Sequence, residues 1–280
     1  MTDTTEATPK NRASIEDLLK AGTHFGHLTS RWNPKMKPFI FMKRNGIHII
    51  NLNMTQKYLD EAGDAIARFA RRGRRILFTG TKKQAQEIIR KHAIDCGSPY
   101  VVERWLGGTL TNFRTIRERL KRLEELEALE ESGDIKNYSK KMESTLNRER
   151  TKIRRNLGGI RNMTKMPGAL VVIDVNHEMN ALKEARKLGI PTICLIDTDS
   201  NPDFADIPIP GNDDSLRSIE VIVKSLCAAV AEGKSANAQN QKAKDQSAGE
   251  KGEEKPRRRS NRAQFSADAP AESAEPAAAE

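Results

Sequence analysis

Residues 168–202 constrain the fold of this chain most, because they read as a buried strand, an amphipathic helix and a second buried strand. Leu170 to Val175 is an apolar run rich in β-branched residues, as expected for a strand that is covered on both faces of a parallel sheet. Gly189 ends the helix, and Pro191 opens the second strand, where proline is tolerated. The stretch therefore predicts a βαβ unit and an α/β fold.

The helix of this unit has one apolar face. Four of its residues repeat at spacings of three and are expected to lie on the sheet: Met179, Leu182, Ala185 and Leu188. By the same periodicity the charged residues Lys183, Glu184 and Lys187 are expected to point to water.

Length and composition allow one α/β domain with an inserted segment outside its core, or two small domains, since 280 residues with 37% apolar content can supply a core. No stretch approaches the roughly 20 apolar residues that a membrane-spanning helix needs. The first 12 residues lack the apolar region of a secretory signal, so a cytoplasmic protein is expected. Cys96, Cys194 and Cys227 are far apart in apolar patterns, which predicts neither a disulfide framework nor a zinc knuckle.

The net charge of +10 favours a polyanionic partner, and the charge is distributed very unevenly. Residues 235–280 hold eight basic and eight acidic residues, so the excess belongs to the rest of the chain. Three stretches carry it: residues 31–44, 68–91 and 114–157. Residues 168–233 hold five basic and eleven acidic residues. A fold that separates these stretches in space would have a basic side suited to binding RNA and an acidic side that faces water or protein.

Residues 21–52 combine aromatic and basic side chains in a segment that reads as irregular until a strand begins at residue 47. Aromatic rings beside Lys and Arg offer stacking faces next to phosphate-binding charges. We expect RNA contacts from six residues: Arg31, Trp32, Lys35, Lys37, Lys43 and Arg44. For the aromatic residues the alternative is core packing of Phe39 and Phe41, with Trp32 half buried.

A helix is predicted after the strand at 76–79, with Thr81 and Gln84 placed as a capping box. Free N–H groups, the positive end of the helix dipole and the side chains of Lys82 and Lys83 make this terminus favourable for an RNA phosphate. Simple capping of the helix is the alternative. The P-loop and dinucleotide patterns are both absent, so nucleotide binding is not expected.

Residues 107–157 predict an antiparallel helical hairpin, because apolar residues repeat at spacings of three and four on both sides of a break at Ser132-Gly133-Asp134. Half of residues 114–157 are charged, with one narrow apolar seam. This composition favours a coiled coil that projects from the globular core. Pairing about Gly133 gives the hairpin a basic root. There we expect RNA contacts from Arg104, Arg114, Arg117, Arg150, Arg154 and Arg155.

Acidic residues follow the second strand of the βαβ unit, at the end where α/β enzymes place their sites. A magnesium-dependent phosphoryl-transfer site within residues 197–206 is one hypothesis. Asx-turns before Pro and Gly, with Asp213 or Asp214 capping the last helix, are the favoured one. His24 and His27 could ligate zinc with one of these carboxylates, but two histidines without a third local ligand are more often packed or hydrogen-bonded. No metal, cofactor or small-molecule substrate is predicted.

The two ends of the chain are expected to lie outside the folded domain. Residues 1–12 lack apolar periodicity and predict a mobile leader. Residues 235–280 have too few apolar residues to offset the conformational entropy lost on folding, so they predict a disordered tail. The basic cluster at 255–262 in this tail could bind RNA non-specifically. The globular domain is then formed by residues 13–106 and 158–234.

Four stretches together closely resemble the family of bacterial small-subunit ribosomal protein two: LLKAGTHFGHLTSRWNPKMKPFIFMKRNGIHIINL, RWLGGTLTNF, GALVVIDVNHEMNALKEARKLGIP and DTDSNPDFADIPIPGNDDSLRSI. The resemblance covers about residues 12 to 233. It implies a flavodoxin-like parallel sheet with a coiled-coil insertion, located between the head and the body of the small ribosomal subunit. It also implies contacts with small-subunit rRNA and with neighbouring proteins, including the large RNA-binding ribosomal protein one.

A structural RNA-binding protein of the small subunit is therefore the predicted function. An enzyme needs a nucleophile and base, a metal set or a cofactor loop, and the chain has no HExxH, GxSxG, P-loop or dinucleotide pattern. Two alternatives remain: an assembly factor that leaves the mature subunit, and an α/β enzyme acting on a phosphorylated small molecule.

Overall fold

The computed structural model describes the backbone of residues 12–250 and the side chains of residues 12–135 and 138–240. Within these residues the α-helices are α1 (Ile15–Lys20), α2 (Leu52–Arg71), α3 (Lys83–Asp95), α4 (Phe113–Glu131), α5 (Lys140–Leu157), α6 (Met179–Lys187) and α7 (Leu216–Glu250). The strands are β1 (Phe25–Leu28), β2 (Ile40–Arg44), β3 (Ile47–Ile50), β4 (Ile76–Thr79), β5 (Tyr100–Val101), β6 (Ala169–Ile173), β7 (Thr192–Ile196) and β8 (Ile207–Pro210). A compact unit ends at Asn240, and the backbone of residues 241–250 is helical.

Strands β4 to β8 form a parallel sheet in the order β5-β4-β6-β7-β8. β6, α6 and β7 are the predicted βαβ unit, and the α/β fold with a helix-flanked parallel sheet is confirmed. β8 was not predicted, because its sequence, IPIP, contains two prolines. It pairs with β7 at the edge of the sheet, where a missing N–H group is tolerated.

Alternate residues of each strand enter one of two hydrophobic cores. On one face of the sheet, Phe78 and Val171 pack with side chains of α2, α3 and α7. On the other face, Leu77 and Val172 pack with side chains of α6, α4 and the end of α5. Every residue of β6 and β7 is buried. Burial on both faces explains why these strands are continuous apolar runs.

Helices α4 and α5 contact each other as the predicted hairpin, but the root of the hairpin belongs to the globular core. Ile116, Leu120 and Leu157 are buried in the same core as Leu77 and Val172. Farther out, a separate small cluster contains Leu126, Ile135 and Leu146. Periodicity identified most of the buried seam, but Tyr138 and Met142, which belong to the same apolar pattern, are exposed. Periodicity also could not show that the two ends of the seam have different partners.

A three-stranded antiparallel sheet, β1-β3-β2, occupies most of the segment that read as irregular, so that prediction is wrong for β1 and β2. Asn45 and Gly46 join β2 to β3 with φ angles of 50° and 74°. Two positive φ angles are what a two-residue hairpin turn of type I′ requires, and Asn-Gly is its preferred sequence. This pair, between two apolar stretches, was the signal that sequence analysis missed.

The amino end of the described chain is anchored at Arg12, which was expected to belong to a mobile leader. Its backbone N–H donates to Asp60 at 2.9 Å, and its guanidinium donates to Asp64 at 3.0 Å and to Glu232 at 3.3 Å. Only 4% of the side chain is exposed. The expected leader therefore ends before Arg12, and residues 1–11 lie outside the described residues.

Helix α7 continues past Lys234, where the disordered tail was expected to begin. Residues 235–250 are rich in Ala, Gln and Lys, which are good helix formers and can extend a helix whose first turns are already packed. Residues 251–280, with the basic cluster at 255–262, lie outside the described residues.

The carboxylate of Glu184 on α6 holds the segment that connects β5 to α4. It accepts hydrogen bonds from the indole of Trp105 and from the N–H groups of Gly108, Leu110 and Thr111, at 2.8–3.1 Å. The expectation that Glu184 points to water is therefore wrong, because helical periodicity does not show which loop crosses a helix. Burial alone would raise the pKa of Glu184, but these hydrogen bonds outweigh it and the pKa lies below the ordinary 4.5.

Replacing this carboxylate should weaken the fold. Glu184→Gln places an amide N–H₂ group where backbone N–H groups now donate, so we expect the free energy of unfolding to fall by about 2 kcal/mol, within the range for hydrogen bonds to a charged group. Urea denaturation measures this loss. Glu61→Gln, at an exposed carboxylate on α2, is the matched control and should change stability by less than about 0.5 kcal/mol. Equal effects of the two substitutions would contradict the anchoring role.

The same carboxylate should make stability depend on pH. A carboxyl group with a depressed pKa stabilises the folded state above its unfolded pKa, near 4.5, and this stabilisation is lost as the pH falls through the lower folded-state pKa. The difference in unfolding free energy between the parent protein and Glu184→Gln should therefore be largest above pH 4.5 and should shrink below it. A difference that stayed constant down to pH 3 would contradict this assignment.

Candidate nucleic-acid interface

The carboxyl ends of the parallel strands carry an acidic cluster around Lys82. Its Nζ lies 2.6 Å from Asp214, 2.7 Å from Asp213 and 3.6 Å from Asp174. Burial lowers the pKa of Lys82, but the carboxylates raise it by more, so the ammonium group stays charged. Asp213 and Asp214, expected as helix caps, bind this lysine. The charge of Lys82, expected to meet RNA, is thus neutralised within the protein.

The strand order changes direction between β4 and β6, and the crevice beyond the carboxyl ends of such strands is where α/β proteins bind ligands. Here the N–H of Thr81 donates to the buried carboxylate of Glu178 at 2.7 Å. The predicted capping box of Thr81 and Gln84 is wrong, since α3 begins at Lys83 with Lys82 as N-cap and no side-chain cap. A carboxylate of the protein occupies the position that a phosphate would need.

His27 lies at the same edge of the sheet. Its Nδ1 is 3.0 Å from Asp197, and its Nε2 is 3.6 Å from Asp214. The adjacent carboxylate of Asp197 is the main cause that raises the pKa of His27 to about 9, so the imidazole is a cation at neutral pH. His24 packs against Phe25, with ring centroids 4.0 Å apart. In the described part of the chain, no group of three His, Cys, Asp or Glu side chains has an arrangement that could hold a metal ion.

The predicted RNA-binding residues around the three-stranded sheet are mostly free. Four of them are exposed and form no ion pair with any described residue: Arg31, Lys37, Lys43 and Arg44. Lys35 is also exposed but pairs with Asp203. Trp32 is 37% exposed, and its ring lies 5.0 Å from that of His48 at an angle of 44°. One face of Trp32 is thus supported by the protein.

The same small sheet and its flanks expose apolar side chains that sequence analysis did not select. They are Phe25, Leu28, Phe41 and Met42, each between 47% and 69% exposed. Phe39 is buried as expected, whereas the expectation of a core position for Phe41 is wrong. Residues two apart share a face of a regular strand, which was the reason to expect Phe41 beside Phe39. The pairing of β2 with β3 shifts register between Ile40 and Met42, and such an irregularity breaks the alternation at Phe41. Apolar groups exposed beside basic residues are typical of a surface that binds a macromolecule.

At the hairpin, four of the predicted arginines have partners within the chain. Arg114 pairs with Glu118, Arg117 donates to the carbonyl of Met163, Arg150 pairs with Glu130 and Arg155 pairs with Glu103. Arg104 and Arg154 are exposed and form no ion pair with a described residue, and the same is true of Lys83 on α3. The structure therefore shows which of these arginines pair with groups of the protein and which are exposed without an ion pair to a described residue. Sequence spacing alone could not show this difference.

A groove of about 790 Å³ runs along α5 and ends at Arg104. Its basic lining residues are Arg104, Lys140, Arg148, Lys152 and Arg155, and Glu143 is its one acidic lining residue. Lys140 was not predicted, whereas Arg148 and Lys152 belong to the predicted basic root of the hairpin but were not selected as RNA contacts. Their separation by multiples of four residues places them on one face of a helix, which was the available signal.

The model of the family described as "Ribosomal protein S2" matches residues 18–233, which include both sheets, the hairpin and the groove. The chain belongs to the ribosomal protein S2 family. It is similar to the small ribosomal subunit protein uS2 of Salinibacter ruber, with 54% identity over 80% of this chain and 70% of that relative. The uS2 protein of Rhodopirellula baltica is 53% identical over 79% of this chain and 85% of the relative. For uS2 of Mycobacterium ulcerans the identity is 52%, over 80% and 82% respectively.

Within residues 12–250 of this S2-family chain, no helix has the length and apolar character needed to cross a bilayer.

Adjacent lysines at the start of α3 allow a direct test of their roles. Lys82→Met removes the cation from three carboxylates and should reduce the free energy of unfolding by about 3 kcal/mol, the low end for breaking a buried ion pair. Lys83→Met should change it by less than about 0.5 kcal/mol, because Lys83 is exposed. Thermal or urea denaturation gives both values. A stable Lys82→Met variant would show that Lys82 is not needed to neutralise this cluster.

Proposed function

We propose that this protein is a structural component of the small ribosomal subunit that binds small-subunit rRNA and neighbouring ribosomal proteins. It works on the ribosome, in the cytoplasm, and catalyses no reaction. The observation that carries this proposal is membership of the S2 family over residues 18–233, since the similar proteins are named as small-subunit proteins.

The groove along α5 is the best-supported rRNA contact. Its basic side chains stand on one helical face at intervals of one or two turns, and Arg148 and Lys152 form no ion pair with a described residue. Phosphates of an RNA backbone bind such a row by releasing condensed counterions. Arg155 at the inner end has only a partly exposed partner, Glu103, which a phosphate can replace at small cost because exposed ion pairs are weak.

The basic residues near the three-stranded sheet form a second proposed contact with rRNA. Arg31, Lys37, Lys43 and Arg44 supply unpaired charges, and Trp32 supplies a ring face. Phosphate contacts position a protein on RNA, whereas aromatic faces stack on unpaired bases. Lys83, Arg104 and Arg154 are available in the same way, and Arg114, Arg117 and Arg150 would first have to leave partners in this chain.

The finer description of the fold is also a proposal. Counted along the sheet from its first strand, the order β5-β4-β6-β7-β8 is 2-1-3-4-5, which supports a flavodoxin-like fold. The α4–α5 hairpin is proposed as a short antiparallel coiled coil. Leu123 and Leu126 on α4, Leu146 on α5 and Ile135 between the helices are buried, and they supply its seam.

The large RNA-binding ribosomal protein one is proposed as a protein neighbour. The exposed apolar side chains of Phe25, Leu28, Phe41 and Met42 support a protein contact on this part of the molecule, because RNA backbone offers no apolar partner to so many groups. Basic residues at the border of this surface would meet rRNA.

Two observations on the described residues argue against the enzyme alternative. The crevice between β4 and β6, where α/β proteins bind ligands, is filled by Glu178 and by the ion pairs of Lys82, and the acids of residues 197–206 belong to no cluster that could hold a metal ion. An assembly factor would use the same surfaces as a resident protein. Quantifying this chain in salt-washed mature small subunits separates the two, since an assembly factor would be depleted relative to other subunit proteins and a resident would be present in equal amount.

Charge reversal in the groove should weaken binding to the subunit. We expect Arg148→Glu with Lys152→Glu to reduce the affinity for small subunits that lack this protein. The slope of log affinity against log salt should decrease by about 1.4 to 1.8, the value for two lost phosphate contacts. Both side chains are exposed, so thermal unfolding should be unchanged.

The matched control is Lys57→Glu with Lys91→Glu, which makes the same change in net charge at exposed positions of α2 and α3. It should leave the salt slope as in the parent protein. Equal slopes for the two double variants would mean that net charge, and not the groove, determines binding.

A further inference from the structure

The amino edge of the parallel sheet carries a second concentration of positive charge, at the opposite end of the strands from the Lys82 cluster. Five arginines follow one another here: Arg68, Arg71, Arg72, Arg74 and Arg75. All five are exposed, and none forms an ion pair with a described residue. No acidic residue lies between Asp64 and Glu87 in the sequence.

Three of these arginines have a use within the fold. Arg68 and Arg71 lie in the last turn of α2, where a cation complements the negative end of the helix dipole. Arg75 donates to the carbonyl of Asn162. Arg72 and Arg74 have no such partner among the described residues, so their positive charge is available to a ligand.

The turn that ends α2 fixes the positions of Arg72 and Arg74. Gly73 between them has a φ angle of 72°. The N–H of Arg74 donates to Phe69 O at 3.1 Å, and the N–H of Gly73 donates to Ala70 O at 2.9 Å. This pair of hydrogen bonds around a left-handed glycine is a Schellman motif. It places the two arginines on either side of a rigid turn.

The aliphatic stem of Arg74 is held against the start of β6. A Cβ added to Gly168 would lie 2.5 Å from the Cβ of Arg74, so only glycine allows this approach. The backbone N–H of Gly168 also donates to Arg75 O at 2.8 Å. The turn and the strand are therefore tied together, and Arg74 is ordered without using its charge.

Arg72 and Arg74 line a cavity of about 440 Å³ whose other walls are apolar or backbone. The apolar lining residues are Phe69, Met166, Pro167, Leu188, Ile190 and Pro191. Leu188, expected to lie on the sheet, is 41% exposed and stands at this cavity. The volume lies in the range of about 300 to 1,000 Å³ that is typical of small-ligand sites. Among the described residues, no carboxylate lines the cavity.

We propose that this cavity binds one unstacked base of a single-stranded segment of small-subunit rRNA, with the flanking phosphates on Arg72 and Arg74. This inference rests on the proposed function. Proteins recognise single-stranded RNA by holding splayed bases against flat apolar or aromatic surfaces and by neutralising the backbone with arginine. A continuous RNA duplex offers phosphates but no base that could enter the cavity, so the apolar walls favour a loop or bulge.

Site-specific cross-linking tests this proposal on the assembled subunit. A photoreactive benzoylphenylalanine replaces Leu188 in the full-length protein, which is then incorporated into small subunits and irradiated. We expect a cross-link to one unpaired rRNA nucleotide or to its immediate neighbours, read as a stop in reverse transcription. The same reagent at Arg148 tests the groove on α5, and at Lys57 it serves as the negative control.

The outcomes separate this site from the proposed function. A cross-link to rRNA from position 148 but none from position 188, or only a protein cross-link from 188, would overturn the cavity assignment and leave the proposed function intact. Absence of rRNA cross-links from both positions would contradict both. A cross-link from 188 to a paired nucleotide would also overturn the base-binding proposal.

A charge-reversal pair tests the role of the two arginines. Arg72→Glu with Arg74→Glu should abolish the cross-link from position 188 and should lower the slope of log affinity against log salt by about 1.4 to 1.8. Lys57→Glu with Lys91→Glu should do neither. Hydrogen exchange on the free variants checks that the fold is retained, since both arginines are exposed. A cross-link of parental strength in the folded Arg72→Glu, Arg74→Glu variant would refute the phosphate contacts.

Discussion

Burial of the parallel sheet on both faces is the constraint on which the rest of this structure depends. No side chain of β6 or β7 reaches water, so each face requires a layer of helices. Helices α2, α3 and α7 cover one face, whereas α6 is short and covers only part of the other. The root of the hairpin completes that second layer. The hairpin is therefore held by the core, and the Glu184 carboxylate fixes the loop through which the chain enters it.

The two edges of the sheet carry opposite charge, and helix dipoles explain much of this polarity. Helices that follow parallel strands begin at the carboxyl edge, where acidic groups are favoured, and end at the amino edge, where cations are favoured. At the acidic edge one lysine does not fully compensate the carboxylates. Burial, together with Asp174 and Asp197, raises the pKa of Asp213 to about 7 although Lys82 opposes this shift. A phosphate is thus disfavoured at the carboxylate cluster around Lys82 and favoured at the arginines of the opposite edge.

Sequence periodicity predicted the elements whose burial is regular, such as β4, β6, β7 and the seam of the hairpin. It failed where a long-range partner decides the outcome. Glu184 follows the pattern of an exposed helical residue, yet a loop from a distant part of the sequence supplies three backbone and two side-chain donors to it. β8 has two prolines and is a strand only because it lies at a sheet edge. The Asn45-Gly46 turn was predictable from local chemistry and was missed.

The sequence also could not show which basic residues are available to RNA. A basic side chain is available only if no carboxylate of the protein already neutralises its charge. Lys82 and Lys83 are neighbours in sequence and identical in chemistry, but three carboxylates surround the first and no described carboxylate pairs with the second. The net charge of +10 counts both equally. An RNA phosphate is attracted to Lys83 and hardly to Lys82, because the carboxylates around Lys82 cancel most of its electrostatic field in the solvent. Arg72 and Arg74 are the opposite case, because no described carboxylate pairs with either, and the stem of Arg74 is held against Gly168. Ordering a cation in advance lowers the entropy lost on binding, so Arg74 is well suited to a defined RNA contact.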